Sequence, residues 1–364
     1  MYDNRVKICI CGGGSQGHIS AGIIGRVEKV NILTRKPNLW SNSFITEDLD
    51  GRQYCATLNK ISSNPQDVIP ESDIVLICLP GFAIKETLEK IKPYLTENTV
   101  IGSVFGGSGF FLQVFHILGR STKCFAFQRV PFTGRIKDYG KTAKLKGYKP
   151  YLKIAFNEID EEQQDKIISR LNIWYGTKIY KLKHFLEATL SNSNPLLHPC
   201  RLYILFKDWT PEKIYNKIPF LYDTDWDDQS SNLWVECDKE LRDVLKSYPV
   251  NLKEIPSVLE YYECKNIKEL TKKIRSIVPF KGVKPHMVPT KDGYKLDSTH
   301  RYFQEDIPYG LLMIKLFAEF HNILTPNIDK VLDWAQKIMN KKYIVSGKLD
   351  YSSLPFKISE INEL

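Results

Sequence analysis

An α/β fold, with a doubly wound parallel sheet in the first half of the chain and an all-helical second half, is predicted by three observations. Short apolar runs alternate with helix-period patterns up to about residue 182. The first of these runs ends in a glycine-rich turn that leads into an apolar helix. Beyond it the character changes: from residue 183 onward β-branched runs are scarce and helical spacing dominates. The expected division is therefore 1–182 and 183–364.

The elements follow in order. Val6 to Cys11 is a strand-like run broken only by Lys7, Gly12 to Gly17 is a turn, Ile19 to Arg26 suits a helix, and Val30 to Thr34 suits a second strand. A buried strand, a crossover of this length and a second parallel strand make a βαβ unit, which closes right-handed. Ser72 to Leu79 is another apolar run, stopped by Pro80, after which Ile84, Leu88 and Ile91 recur at helical spacing. Thr99 to Val104 is a further strand and ends in Phe105-Gly106-Gly107-Ser108-Gly109. From Tyr151 come a strand, a helix opened by Asp160, Glu161 and Glu162, and a last strand from Lys178 to Leu182. Asp306 to Ile344 reads as two apolar helices separated by Thr325-Pro326-Asn327, with Asn327 as the N-cap of the second.

Composition narrows the function classes. Of 364 residues, 43% are hydrophobic and 26% charged, which excludes a disordered or fibrous chain. No unbroken apolar run approaches the roughly 18 residues a membrane span needs. The N-terminus carries no small-residue cleavage site before the first strand, so a cytoplasmic protein is expected. Eight cysteines without a C-x-x-C pair suggest reduced, structural thiols and no zinc site. With 51 Lys+Arg against 42 Asp+Glu the net charge is +9, which suits nucleic acid, an acidic surface or small anions alike. No helix-turn-helix or basic-aromatic motif supports nucleic acid, and Lys272, Lys273 and Arg275 have the spacing of an outer helix face.

Gly12-Gly13-Gly14-Ser15-Gln16-Gly17 fits G-x-G-x-x-G with a strand before it and a helix after it. The first glycine makes the tight turn, the second admits a pyrophosphate, and the third lets helix and strand pack, while the helix N-terminus attracts negative charge. Gly12, Gly14, Ser15, Gln16 and Gly17 are thus the expected cofactor contacts, joined by Pro80. At the end of the second strand stand Thr34-Arg35-Lys36, with no carboxylate until Glu47. A carboxylate there would suit the ribose 2′-OH of NAD, whereas Arg35 with Lys36 suits the 2′-phosphate, so NADP(H) is preferred to NAD. The bland alternative is a pair of solvated loop charges.

Three features stand out in the second half. Asn194 and His198 lie four apart, hence on one face of a helix. A reductase acting on C=O or C=N needs a proton donor near the hydride acceptor, and histidine titrates in the right range. A carboxylate on its second ring nitrogen would fix its tautomer, and Asp306 is a candidate that also reads as a helix N-cap. Arg301 is placed to bind a substrate carboxylate or to be a surface charge. The acidic run Asp223 to Asp228 lacks the glycine and distal glutamate of a calcium loop and is read as a solvated loop.

With these residues the sequence resembles the octopine/nopaline (opine) dehydrogenase family, including its relatives that make opine metallophores. The resemblance rests on the glycine turn, Gln128 to Arg135, Asn194-x-x-x-His198-Pro199, Phe220-Leu221-Tyr222 with Asp238 to Arg242, and above all His300-Arg301-Tyr302-Phe303-Gln304-Glu305-Asp306-Ile307-Pro308-Tyr309-Gly310-Leu311. It implies a Rossmann-type nucleotide domain, a helical catalytic domain, and NAD(P)H-dependent reduction of the imine formed from an amino-acid amine and a 2-oxo acid such as pyruvate. It implies His198 and Asp306 as a catalytic dyad, Arg301 on the oxo-acid carboxylate and Asn194 near substrate or nicotinamide. Where several members carry threonine the chain has Arg129, an extra cation for a second substrate carboxylate or a sign of a different amine. The alternatives are a ketopantoate-like 2-oxo-acid reductase that needs no amine, and a non-enzymatic NADP-binding regulatory protein. Small molecules are the expected partners, with homodimer formation left open.

Overall fold

The computed structural model describes residues 5–355 and divides into two compact units, Met1–Thr189 and Leu190–Leu364. The division falls one short helix beyond the expected junction. That helix, Leu186–Thr189, stays with the first unit because Gln128 donates to the Glu187 carbonyl (3.1 Å), and the Glu187 carboxylate accepts from the Lys183 N–H (2.9 Å).

The first unit is built on one sheet. In chain order its strands are β1 (Lys7–Cys11), β2 (Lys29–Leu33), β3 (Ser43–Glu47), β4 (Gln53–Ser62), β5 (Ile74–Ile77), β6 (Val100–Ser103), β7 (Cys124–Phe127), β8 (Phe132–Asp138), β9 (Thr142–Tyr148), β10 (Tyr151–Asn157) and β11 (Lys178–Lys181). Their spatial order is β11-β10-β7-β6-β5-β1-β2-β4-β3-β9-β8. The middle, β7 to β4, is parallel as expected. The flanks add antiparallel pairs, β10 on β7, β3 on β4 and β8 on β9. β1 is the topological switch point, with β2 on one side and β5 on the other, and it is outside the carboxyl ends of such strands that ligands bind.

The sheet is buried on both faces, which is why its central strands read as continuous apolar runs. Ile8, Ile10, Leu76 and Phe127 join a core with Ile19 and Ile23 of the helix Ser15–Ile24 and with Leu171 and Trp174 of the helix Glu161–Tyr175. Cys9, Val75, Ile77 and Ala126 alternate with them along the strands and are equally buried. The helix after the glycine turn starts at Ser15 and ends at Ile24, earlier at both ends than the expected Ile19 to Arg26. Helix Glu161–Tyr175 begins as expected, Asp160 accepting from the Gln163 N–H at 2.8 Å.

The second unit is helical, with helices Asn194–Phe206, Asp228–Lys246, Ile267–Ser276, Leu312–Phe320 and Pro326–Met339 as its main elements. It is not all-helical: β12 (Met287–Thr290) pairs with β13 (Gly293–Leu296), and β14 (Ile344–Val345) with β15 (Lys348–Leu349). Those strands are short, and β12 contains Pro289, so no alternating apolar run announces them. The last helix also departs from expectation. Its N-cap is Thr325, and Asn327 lies inside the first turn, where its backbone and side-chain N–H groups both donate to the Glu240 carboxylate at 2.8 Å. Glu240, from the neighbouring helix, also takes the Ile328 N–H (2.9 Å) and so does the capping from outside the local sequence. Buried Lys315 fixes the same turn through Asp329 (2.8 Å) and Thr325 (3.1 Å).

Candidate functional site

In the first unit the glycine turn has the geometry a dinucleotide needs. Gly12 adopts φ +132°, and a Cβ there would lie 2.6 Å from the Cys78 carbonyl oxygen. A Cβ at Gly17 would lie 2.0 Å from the Gly12 oxygen, so helix and strand approach only because both are glycine. Gly14 is different: nothing lies within 4 Å of where its Cβ would be. Gly14 is the N-cap of Ser15–Ile24, and no side chain caps that end, which leaves the first-turn N–H groups available to an anion. The tight positions and the open one therefore fit a bound pyrophosphate. Gln16 donates from its side-chain amide to the Phe132 carbonyl (3.1 Å).

Arg35 and Lys36 are exposed just past the end of β2. Lys36 Nζ stands 5.7 Å from the Tyr139 ring centre, and no hydrogen bond or ion pair holds Arg35 among the described residues. Pro80 is exposed at the N-cap of the helix Gly81–Ile91, just past the end of β5. Arg129 is half-buried just after β7. It lies in the first unit with the cofactor residues, apart in sequence from Asn194, His198, Arg301 and Asp306, all of which belong to the second.

There the structure brings His198 and Asp306 together. His198 Nδ1 is 2.7 Å from Asp306 Oδ2, and both residues are buried. A carboxylate can only accept here, so Nδ1 carries the proton and Nε2 is the nitrogen left to exchange protons. Among the described residues Nε2 has no hydrogen-bond partner. Asp306 stands at the N-cap position of the next turn but caps it with no side-chain bond, so the helix-cap reading gives way to the histidine contact.

Two backbone features hold that pair. His198 lies one turn into the helix Asn194–Phe206, whose start is set by Asn192 accepting from the Asn194 N–H (3.2 Å). Asn194 shares its face. Asp306 precedes a π-helical turn, Ile307–Leu311, a device that re-aims side chains at functional sites. The two segments meet at Gly310, where a Cβ would lie 2.5 Å from Pro195 Cβ. Gly310→Ala should therefore push the turn off the helix. With the dyad misplaced on the 1 Å scale, kcat is expected to fall about 100-fold, and an unchanged kcat would show that the close approach does not set the dyad.

Around the dyad sequence reasoning missed an aromatic chain. The Tyr302 ring lies 4.2 Å from that of His198, His300 is 4.5 Å from Tyr302, and His286 stacks on His300 at 4.0 Å. Burial and then the neighbouring His286 push the His300 pKa down to about 4. Tyr302 and His300 flank Arg301 in the sequence, whereas His286 is distant from them. Arg301 is exposed at the start of the helix Arg301–Gln304, next to these rings.

The remaining polar features of this unit are structural. The acidic run forms caps: Asp227 accepts from the Ser230 N–H (2.8 Å), Asp225 from the Phe220 N–H (2.7 Å) and Asp223 from the Gly282 N–H (3.3 Å). No cluster of three or more potential metal ligands occurs among the described residues. All eight cysteines are free. No helix among the described residues is long and apolar enough to cross a membrane.

Different stretches of the chain match two different protein families. Residues 181–339 match the family of NAD/NADP octopine/nopaline dehydrogenases, alpha-helical domain. Residues 8–134 match the ketopantoate reductase PanE/ApbA family. Tauropine dehydrogenase of Arabella iricolor is 26% identical over 374 residues, covering 94% of this chain and 94% of that protein. Octopine dehydrogenase of Mizuhopecten yessoensis is also 26% identical, covering 94% and 92%. A solved octopine dehydrogenase with NADH and L-arginine superposes with a TM-score of 0.82 at 25% identity, over 95% of this chain and 92% of that one. These relatives are named as dehydrogenases, and the solved one holds NADH.

Proposed function

We propose that the protein is an NADPH-dependent opine dehydrogenase that joins the amine of an amino acid, or of an amino-acid derivative, to a 2-oxo acid such as pyruvate. The observation that carries the reading is the His198–Asp306 hydrogen bond in a helical unit that also presents Arg301. Arg301 holds the oxo-acid carboxylate, which fixes the carbonyl carbon for attack by the neutral amine. Protonated His198 delivers its Nε2 proton to the carbonyl oxygen as the C–N bond forms; the amine nitrogen, now positively charged, gives one proton back to Nε2, which passes it to the new hydroxyl so that this oxygen leaves as water. The product of these steps is an iminium whose charge the nearby Asp306 carboxylate favours. Gly12, Gly14, Ser15 and Gly17 would hold the pyrophosphate of NADPH, which when bound would supply the hydride that reduces the iminium. Asn194 orients substrate or nicotinamide, and Arg129 takes a second substrate carboxylate.

Purified protein mixed with NADPH, pyruvate and a panel of amino acids should lose absorbance at the nicotinamide band only when an amine is present. Mass spectrometry of the product names the pair joined. Reduction of oxo acids at the same rate without amine would favour the ketopantoate-like reading, which the match over residues 8–134 supports. Cofactor binding without turnover on any substrate would favour a regulatory protein.

The choice of NADPH rests on Arg35 and Lys36; the similar octopine dehydrogenase was solved with NADH. A bidentate guanidinium contact to phosphate predicts that Arg35→Ala raises the KM for NADPH about tenfold and leaves that for NADH nearly unchanged. Equal effects on both would remove the argument for NADP. Free thiols throughout suit a cytoplasmic location.

A further inference from the structure

The tip of the β8–β9 hairpin, Tyr139–Gly140, is folded onto the glycine turn. His18, fully buried one residue past Gly17, makes the junction. Its Nε2 accepts from the Gly140 N–H at 2.8 Å, so Nδ1 carries the proton and donates to the Gly14 carbonyl at 3.0 Å. Burial lowers the pKa of this imidazole and so keeps it in the neutral tautomer that both bonds require. Gly140 itself adopts φ +73°, and a Cβ there would lie 2.1 Å from the Leu39 carbonyl oxygen. The tip is thus locked between the helix N-terminus and the segment that follows β2.

What the lock positions is Tyr139. Its ring packs edge-on against His18 (4.8 Å) and Trp40 (6.2 Å), with Lys36 over it. Its hydroxyl reaches the glycine turn: a Cβ at Gly13 would lie 2.4 Å from it and 3.1 Å from Thr34 Oγ1. Among the described residues that hydroxyl has no hydrogen-bond partner. A phenol whose ring is packed and whose oxygen is unpaired, between the second residue of the glycine turn and the end of β2, stands where a dinucleotide carries its adenosine ribose 2′ substituent. We propose that Tyr139 is a cofactor-binding residue, its hydroxyl donating to the oxygen on the ribose 2′ carbon, beside Lys36, with His18 as the positioning residue. The inference rests on the dinucleotide reading of the glycine turn and adds a contact from an element far along the chain.

Calorimetric titration of the full-length protein with 2′,5′-ADP, 5′-AMP and 2′-deoxy-5′-AMP tests it. In Tyr139→Phe, which keeps every ring contact, 2′,5′-ADP should bind about five- to tenfold more weakly, 5′-AMP should also weaken, and 2′-deoxy-5′-AMP should bind as before. The KM for NADPH should rise by the same factor with kcat unchanged, and the thermal midpoint should stay put. Wild-type affinity of Tyr139→Phe for both 2′-oxygenated ligands would overturn the proposal. If the native protein binds 5′-AMP as tightly as 2′,5′-ADP, the NADP preference falls instead, and Tyr139 is still judged by 5′-AMP against its deoxy analogue. Failure of all three ligands to bind the native protein would overturn the dinucleotide reading and this inference with it.

Discussion

His198→Ala should lower kcat by about 10²- to 10⁴-fold, the usual worth of a positioned general acid. The KM for NADPH should hardly move, because the residues proposed to hold the cofactor's phosphates are contributed by the first unit. Asp306→Asn is the sharper experiment. Asparagine fills the same volume and can face His198 Nδ1 with either end of its amide. If it presents its oxygen, Nδ1 stays protonated but the negative charge that stabilises the imidazolium is lost. If it presents its NH₂, the proton moves to Nε2 and the neutral ring has the wrong tautomer. Either way kcat should drop on the order of 10²-fold while the fold is kept, since the 2.7 Å contact survives as a neutral hydrogen bond. Steady-state kinetics beside a thermal melt separate the two quantities. A variant of either residue that kept more than about a tenth of native kcat would remove the dyad from the mechanism.

The contrast between this pair and the glycine turn shows what local sequence can carry. Strand, glycine turn and helix are contiguous, and each glycine answers a local demand: Gly12 for a positive φ, Gly17 for the approach of two neighbouring elements. The motif and the apolar runs on either side of it therefore mark the turn. His198 and Asp306 are 108 positions apart, and what joins them is a contact between Gly310 and Pro195 that no spacing rule expresses. They were reached by the chemistry of proton donors and by a resemblance spread along the chain. Strands β8 and β9 are harder to read: Arg135-Ile136-Lys137 and Ala143-Lys144-Leu145-Lys146 alternate, but the polar half of each alternation is lysine or arginine, which suits a solvated loop equally well. The lock of His18 onto Gly140 spans 122 positions and leaves no mark in either neighbourhood. Asn327 is the instructive error: the residue type was right for an N-cap, but a carboxylate from another helix already occupies the N–H groups it would have served.

Arg201→Met should destabilise the second unit by about 3–5 kcal/mol, the cost of removing one member of a buried polar network. Arg201, also basic, follows His198 in the same helix, where a second catalytic group would stand. Instead it is 1% exposed and fully occupied. Nε donates to the Leu221 carbonyl (2.6 Å), Nη1 to Ser230 Oγ (2.7 Å), and Nη2 to the carbonyls of Phe220 (3.0 Å) and Asp225 (2.7 Å). The guanidinium also lies 5.4 Å from the Trp226 ring centre. Burial lowers its pKa to about 10, with Asp227 and Asp225 opposing, so it remains charged at neutral pH. One planar cation thus supplies the donors for three carbonyls of the loop Phe220 to Asp225, and that loop carries the acidic run. Methionine fits the volume but leaves those acceptors unpaired, and lysine, with a single nitrogen, cannot reach all of them. With a unit of this size the thermal midpoint should fall by roughly 10 °C, and Arg201→Lys should lie between Met and the native residue. A midpoint for Arg201→Met within about 2 °C of native would mean that water replaces the guanidinium, and that the loop needs no cation to hold its shape.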